Sequence, residues 1–425
     1  MNDQTGKVKT LPEAMLSVDS RRLTAVLLAN GLLRIANAAG GALVGFYLAY
    51  LATQGRATDA ALVGALGVVA NSAELVGAVP MGTLADRFSS RRLLLFGALL
   101  GALATQLFGL SGAVTIFFLS RALEGLAAAA TGPTLLAHLA DVTRYDATAR
   151  GRTMSFYELS FLAGLAGGGL VAGTLWDKVH TLAFSLLAAI YLVVAGLFYW
   201  GAYLPQSTAI LIDSPSLGLR RALTDPLLRR LAPAWLAVNA VVGLWLTHVS
   251  FQLSGPKVAE QELVGRFTAS EVGLILLGYA LIFGVGVIAW GFVLAYIPRV
   301  RVMRIALTAM FFVCLWLYLL NTTIDWPSPI RWTLLVLAGL SIMVESGFTP
   351  AALAYLAEVA SRGPGRGAAM GLYTLLLGLG SALGAGLGGV LAQGFAFNGL
   401  ILGTIGLGVV GIVALALLPN RSAVA

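Results

Sequence analysis

Charge is scarce in this chain. Only 11% of its 425 residues are charged, 58% are hydrophobic, and the mean hydropathy is +0.88. That composition is not the composition of a water-soluble globule. The alternation of apolar and polar residues that marks half-buried strands is also missing. We therefore expect an all-α integral membrane protein.

The signatures of several enzyme classes are absent as well. Cys314 is the single cysteine, so an internal disulfide is impossible, and we interpret it as a core residue. There is no P-loop, no HExxH motif and no Cys/His metal spacing. The first twenty residues lack an apolar core followed by a cleavage site, which predicts no cleaved signal peptide. We expect no enzymatic activity, no cofactor and no metal.

Long apolar runs recur along the whole sequence, and each can cross a hydrocarbon core of about 30 Å. They predict about twelve transmembrane helices, at 22–52, 58–86, 92–110, 113–141, 152–175, 180–203, 231–253, 270–296, 301–321, 331–359, 367–393 and 397–419. Of the 27 Lys and Arg residues, twenty fall on one side of these spans, five on the other and two within them. The positive-inside rule then predicts a multi-pass protein of the cell (inner) membrane with both termini in the cytoplasm. The excess of Lys and Arg is explained by the orientation of the chain in the membrane. We therefore expect no nucleic-acid partner.

The longest predicted cytoplasmic connection divides the spans into six and six. Its sequence PSLGLRRALTDPLLRRL suggests a basic amphipathic segment on the inner leaflet. The predicted parts are an N-terminal tail, a first bundle, a linker, a second bundle and a C-terminal tail, at 1–21, 22–203, 204–230, 231–419 and 420–425.

The two halves of the chain contain related segments. The matching pairs are 131–142 with 348–359, and 150–159 with 366–375. Pro133 aligns with Pro350 and Asp141 with Glu358, and the two spacings are 217 and 216 residues. Chance similarity of Ala/Leu/Gly-rich sequence is the alternative. We interpret the match as two equivalent halves in parallel orientation, with flexing expected at both prolines.

The polar stretch MGTLADRFSSRRLLLFG (81–97), together with the six-plus-six repeat, resembles the major facilitator superfamily of secondary transporters. Six residues match the signature of its loop between spans 2 and 3: Gly82, Leu84, Ala85, Asp86, Arg87 and Arg91. The stretch departs from the signature at Ser89 and Ser90. The resemblance implies two pseudo-symmetric six-helix bundles around a central cavity, alternating access and a small-molecule substrate. We expect a monomer in the lipid bilayer.

Two further stretches resemble the drug:proton antiporter branch of that superfamily. RALEG (121–125) matches its Arg-x-x-x-Gly motif of span 4, with Arg121 and Gly125 on the motif positions. GLAGGGLVAG (164–173) is similar to its span 5 motif, with Gly169 in place of the proline. The branch implies proton-coupled export of an amphiphilic or lipophilic compound. The missing proline keeps a second hypothesis open, namely uptake or exchange of a small organic anion or a lipid-like substrate. A non-transporting receptor or scaffold is a minor third.

Charges at the predicted cytoplasmic ends of the spans have two interpretations. The resemblance implies a latch of ion pairs that stabilises the outward-facing state, while the alternative is a charge cluster that only sets topology. The candidate latch residues are Gly82, Asp86, Arg87, Arg91, Asp141, Arg150 and Arg152.

Ionisable residues within spans are the stronger functional signal, because an uncompensated charge in hydrocarbon costs several kcal/mol. The proton-coupling candidates are Glu74, Glu124, Glu158 and Arg121. Arg121 and Glu124, at i and i+3, share a helix face, so they form either a proton-handling pair or a self-neutralised structural one. Glu158 is either a gate charge or a cavity acid. Glu74 either faces the cavity or makes a buried interhelical hydrogen bond.

The candidate substrate contacts form a second group: Arg34, Asn30, Asn37, Asn239, His248 and Glu345. The first three repeat every three to four residues along span 1 and predict a polar, cavity-facing stripe. Arg34 would suit an anionic group or pair with an acid. Five of the six ionisable residues within spans lie in the first half, which suggests proton chemistry there and an apolar substrate wall in the second half.

Overall fold

The computed structural model describes residues 20–143, 146–202, 226–323, 327–362 and 366–418. These residues form twelve helices: α1 (Ser20–Thr53), α2 (Ala60–Arg87), α3 (Ser90–Leu110), α4 (Val114–Val142), α5 (Ala147–Val179), α6 (Leu182–Gly201), α7 (Pro226–Ser254), α8 (Ala269–Val293), α9 (Arg299–Thr322), α10 (Ser328–Glu345), α11 (Phe348–Arg362) and α12 (Arg366–Ala416). Eleven segments of this described part are long and apolar enough to span a membrane. The segment 372–416 is long enough for two crossings and is interrupted at Ala396, so the expected twelve spans are present.

The helices pack as two six-helix bundles, which confirms the predicted fold class. In the first, α1 packs on α5 and α6, α4 on α2 and α3, and α3 on α6. In the second, α12 packs on α7 and α9, α9 on α10 and α11, and α10 on α8. The bundles meet through α2 with α12, α5 with α8, and α1 with α7.

The molecule has two faces that correspond to the ends of its helices. The face at which α1, α3, α5, α7 and α9 begin is called the basic face. The face at the other end of these helices is called the opposite face. At the basic face the Arg91 guanidinium lies 3.8 Å from the Tyr199 ring centroid, and Arg304 Nη2 donates to the Leu415 carbonyl (2.8 Å). The positive-inside prediction makes the basic face cytoplasmic.

Among the described residues, the closest backbone contacts between the bundles lie toward the opposite face. A Cβ atom at Gly173 of α5 would lie 2.1 Å from the Ala269 carbonyl oxygen of α8. A Cβ atom at Gly64 of α2 would lie 2.7 Å from the Ala385 carbonyl oxygen of α12. Only glycine permits such backbone contact, and small residues at helix contacts allow close packing in lipid. These contacts close the molecule at its opposite face.

The predicted span 331–359 is wrong as a single helix, because the structure has α10 and α11 in its place. Pro350 has no N–H group to donate to the carbonyl oxygen of Ser346, four residues earlier. Gly347 lies against the Trp290 indole of α8. Trp290 Nε1 donates to the Val344 carbonyl (3.1 Å) and thereby satisfies an oxygen at the break. The repeat partner Pro133 lies inside a continuous α4, so the two prolines have different effects.

The predicted span 231–253 begins too late, since α7 begins at Pro226. Residues 203–225 lie outside the described residues, and so does most of the predicted amphipathic segment. The tails 1–19 and 419–425 lie outside them as well. The boundary between the bundles stays a prediction.

The interruption in α12 is supported by buried amides. Ala396 has a positive φ of 49°, which breaks the helical hydrogen-bond pattern. Gln261 Nε2 donates to the Phe395 carbonyl (3.0 Å), and the fully buried Asn321 donates to Gln261 Oε1 (3.0 Å) and Asn398 Oδ1 (2.9 Å). Three separate segments are thereby joined at the opposite face.

We predict that Asn321→Ala lowers the free energy of unfolding by about 1–3 kcal/mol, because it leaves buried polar partners unsatisfied. The measurement is denaturant-induced unfolding in detergent, followed by tryptophan fluorescence. Thr322→Ala is the matched control, since Thr322 is exposed and its hydroxyl bonds only to carbonyls of its own helix. Equal unfolding of the two variants would contradict the role given to the amide network.

Candidate functional site

Arg34 on α1 is held by aromatic side chains of α5. Its Nη2 donates to the Tyr157 hydroxyl (2.7 Å), and the guanidinium carbon lies 5.4 Å from the Tyr157 ring centroid and 5.6 Å from that of Phe161. Gly164 makes this possible, because a Cβ atom there would lie 2.9 Å from the Arg34 carbonyl oxygen. The first glycine of the predicted span 5 motif therefore brings α5 against α1 beside Arg34.

Glu74 on α2 belongs to the same neighbourhood. It is close enough to Arg34 and Glu124 to sense their charges, and the residue has exposed surface. Among the described residues it makes no ion pair within 4 Å. A Cβ atom at Gly125 would lie 2.2 Å from the Ala70 carbonyl oxygen and 2.9 Å from the Glu74 nitrogen. The motif glycine thus places α4 directly on α2 at this acid.

Arg121 and Glu124 form an ion pair within α4, as their spacing predicts. Their side chains are 13% and 23% exposed. Glu124 Oε1 lies 4.0 Å from the Cβ position of Gly40 on α1, so the pair lies beside the helix that carries Arg34. The pair compensates its own charge in a largely buried place.

Tyr191 on α6 and Tyr157 on α5 are polar members of this cluster that the motifs do not identify. The Tyr191 hydroxyl donates to Asn37 Oδ1 (2.6 Å), and Tyr191 lies within Coulombic range of Glu124 and Arg121. Each tyrosine stands alone in an apolar or mixed helix segment, so no sequence pattern distinguishes it from a packing aromatic. The first bundle therefore contains a polar cluster that we define as Arg34, Asn37, Glu74, Arg121, Glu124, Tyr157 and Tyr191.

The other candidate contacts have separate surroundings. Asn30 is fully buried, and neither of its amide atoms has a hydrogen-bond partner among the described residues. Asn239 donates to the Trp235 carbonyl of its own helix (2.8 Å). His248 is fully buried between α7 and α12, with Nε2 2.9 Å from the Ala385 carbonyl oxygen. Glu345 ends α10, within Coulombic range of Tyr279 and Cys314. The structure does not bring these second-half residues into the polar cluster.

The candidate latch is described only in part. Gly82 lies in α2, whereas the side chains of Asp86, Arg87 and the coupling candidate Glu158 lie outside the described part of the structure. Asp141, Arg150 and Arg152 are exposed at the basic face, where Arg91 stacks on Tyr199.

An ion pair of the expected type occurs in the second half. Arg299 Nη1 lies 2.6 Å from Glu358 Oε2, and it joins the start of α9 to the end of α11. Glu358 is the repeat counterpart of Asp141. Ion pairing between adjacent helix ends is therefore present at the basic face.

The comparisons with known proteins agree with this architecture. The family model of the Major Facilitator Superfamily matches residues 31–260 and 241–424. The chain belongs to this superfamily. It is 26% identical to the inner membrane transport protein YajR of Escherichia coli (strain K12), over 84% of this chain and 75% of that protein.

Two further similarities are more limited. Over 94 residues, 22% of this chain, it is 34% identical to Multidrug resistance protein 2 of Bacillus subtilis (strain 168), of which it covers only 24%. Among solved structures, the nucleoside transporter NupG superposes with a TM-score of 0.74 at 16% identity, covering 93% of this chain and 98% of that one. At that identity the likeness shows the fold alone. The protein is a multi-pass membrane transporter of the Major Facilitator type.

We predict that Arg121 and Glu124 are energetically coupled. Glu124→Gln should destabilise the protein by more than the double variant Arg121→Gln/Glu124→Gln, because the single change leaves a mostly buried guanidinium uncompensated. A double-mutant cycle on unfolding in detergent should give a coupling of about 0.5–3 kcal/mol. Strict additivity of the two changes would show that the pair contributes nothing to stability.

Proposed function

We propose that this transporter exports an amphiphilic or lipophilic small molecule in exchange for protons, by alternating access across the cell (inner) membrane with both termini in the cytoplasm. The observation that carries the proposal is the composition of the polar cluster. It holds two arginines and two glutamates, so its cationic charge is already compensated. Such a site is poorly suited to an anion and well suited to competition between a proton and a neutral or cationic compound.

Glu74 is the acid that we propose to carry the proton. Glu124 is already engaged in an ion pair with Arg121 on its own helix. Glu74 is exposed, makes no ion pair among the described side chains, and is near enough to Arg34 to sense its charge. A charged group facing hydrocarbon is costly, so an accessible glutamate at this place belongs in a water-filled cavity.

Protonation of Glu74 would change the charge of the cluster. With both glutamates ionised the cluster is neutral, whereas with Glu74 protonated it carries one positive charge. A cationic substrate is then repelled, and release of the proton restores the site. Exclusive binding of proton and substrate at one site produces exchange in a protein that opens to one side at a time and that does not change sides with the site empty.

The similarity to a protein named for multidrug resistance supports export, although it covers a small part of the chain. A second candidate is uptake or exchange of a small organic anion. Its support is Arg34 Nε, a buried donor without a hydrogen-bond partner among the described residues. The fold is also similar to that of a transporter named for nucleosides, which are polar compounds.

We predict that lipophilic cations or neutral amphiphiles, added to proteoliposomes containing a pH-sensitive dye, cause proton movement opposite to their own. Glu74→Gln should reduce that movement at least about tenfold, because the side chain can no longer exchange a proton. Glu260→Gln is the control, since Glu260 is an exposed carboxylate in the loop after α7.

The same assay distinguishes the second candidate. If only organic anions produce a response and Arg34→Ala removes it, the export proposal is wrong and the anion carrier replaces it. If Glu124→Gln alone abolishes proton movement while Glu74→Gln retains it, export stands and the assignment of the proton to Glu74 fails.

A further inference from the structure

The closed opposite face contains a carboxylate that bridges the two bundles. Asp177, near the end of α5, accepts hydrogen bonds from the backbone N–H of Ala269 (3.2 Å, to Oδ1) and of Ser270 (2.7 Å, to Oδ2). These are the first two amides of α8, whose N-terminal amides lack intrahelical partners. The positive end of the helix dipole favours a carboxylate there. One ionised side chain of the first bundle therefore caps a helix of the second.

Glycines bring the carboxylate within reach. A Cβ atom at Gly173 would lie 2.1 Å from the Ala269 carbonyl oxygen, and a Cβ atom at Gly273 would lie 2.7 Å from the Gly169 carbonyl oxygen. The two backbones are thus in direct contact one turn before Asp177. The capping box of Thr268 and Glu271 satisfies other groups at the start of α8 and leaves the first two amides to Asp177.

The second contact between the bundles repeats this arrangement with a neutral residue. Gln393 of α12 lies 216 residues after Asp177, which is the spacing of one of the two repeat matches. Its Oε1 accepts a hydrogen bond from the Ala61 N–H at the start of α2 (3.4 Å). Gly389 lies at the same spacing from Gly173. A Cβ atom at Gly389 would lie 3.0 Å from the Ala60 carbonyl oxygen.

We infer that Asp177 and Gln393 are a repeat-related pair of caps that hold the opposite face closed, with the charged cap at α5–α8 as the stronger of the two. Charge-assisted hydrogen bonds are shorter and stronger than neutral ones, and the two bonds to Asp177, at 2.7 and 3.2 Å, are both shorter than the single one to Gln393 at 3.4 Å. Both caps have to separate when the opposite face opens. The inference depends on alternating access, and it is independent of the substrate and of proton coupling.

The test measures distances between spin labels in a Cys314→Ser background by pulsed electron resonance. One pair of cysteines, at Leu110 and Thr322, reports on the opposite-face ends of α3 and α9. A second pair, at Phe88 and Tyr296, reports on the basic face. All four positions are exposed.

Asp177→Ala should raise the ratio of open to closed molecules at the opposite face about 2- to 5-fold, the range expected for an exposed charge at a helix terminus. Asp177→Asn should lie between it and the wild type, and Gln393→Ala should have a smaller effect. The distance at the basic face should shorten in the same variants, which local loosening at one face would not produce. Lys178→Gln, one residue away and without a hydrogen bond or ion pair to α8 among the described residues, should leave both distance distributions unchanged.

The inference would be overturned if the spin-label distance distributions of Asp177→Ala matched those of Lys178→Gln at both faces. So would an opening confined to the opposite face. If Asp177→Ala does not yield monodisperse protein, the isosteric Asp177→Asn decides by the same criteria. A larger effect of Gln393→Ala than of Asp177→Ala would overturn the assigned order of the caps.

Discussion

Direct contact between helix backbones at glycine is the constraint on which the rest of this structure depends. In lipid the hydrophobic effect does not drive helices together, so association depends on close packing and on polar contacts. Gly125 places α4 on α2 beside Glu74, Gly164 places α5 on α1 at Arg34, and Gly173 places α5 on α8 next to Asp177. In each case a motif or repeat glycine determines which polar side chains can meet. A Cβ atom at any of these positions would require the backbones to separate.

Charge compensation is the second constraint, and it acts within the space that these contacts create. Arg121 is compensated by an acid on its own helix, whereas Arg34 relies on α5 aromatics and on the nearby Glu74. The first arrangement is local and rigid. The second spans three helices, so it is the one that a change of helix position or of proton occupancy can alter. The proposed transport chemistry follows from that difference.

The internal repeat is preserved in backbone contacts and varied in side chains. Gly173 and Gly389 make equivalent contacts, yet the caps beyond them are an aspartate and a glutamine. Pro133 lies in a continuous helix while Pro350 follows a break, because Gly347 and Trp290 give the broken helix a packing partner. The polar cluster occupies only the first half. The scaffold is therefore symmetric in its backbone contacts, while this polar cluster belongs to one bundle.

The sequence by itself determined the fold class, the approximate spans, the repeat and the Arg121–Glu124 pair. Each depends on local composition or on a spacing of a few residues, which helical geometry converts directly into position. The break before α11, the early start of α7, and the partners of Arg34, Tyr191 and Asp177 were decided only by the tertiary structure. Arg34 and Tyr157 are 123 residues apart in the chain, and Asp177 and Ser270 are 93 apart. No periodicity within one helix determines which helices pack together or how deep a side chain lies between them, because those outcomes depend on contacts between distant parts of the chain.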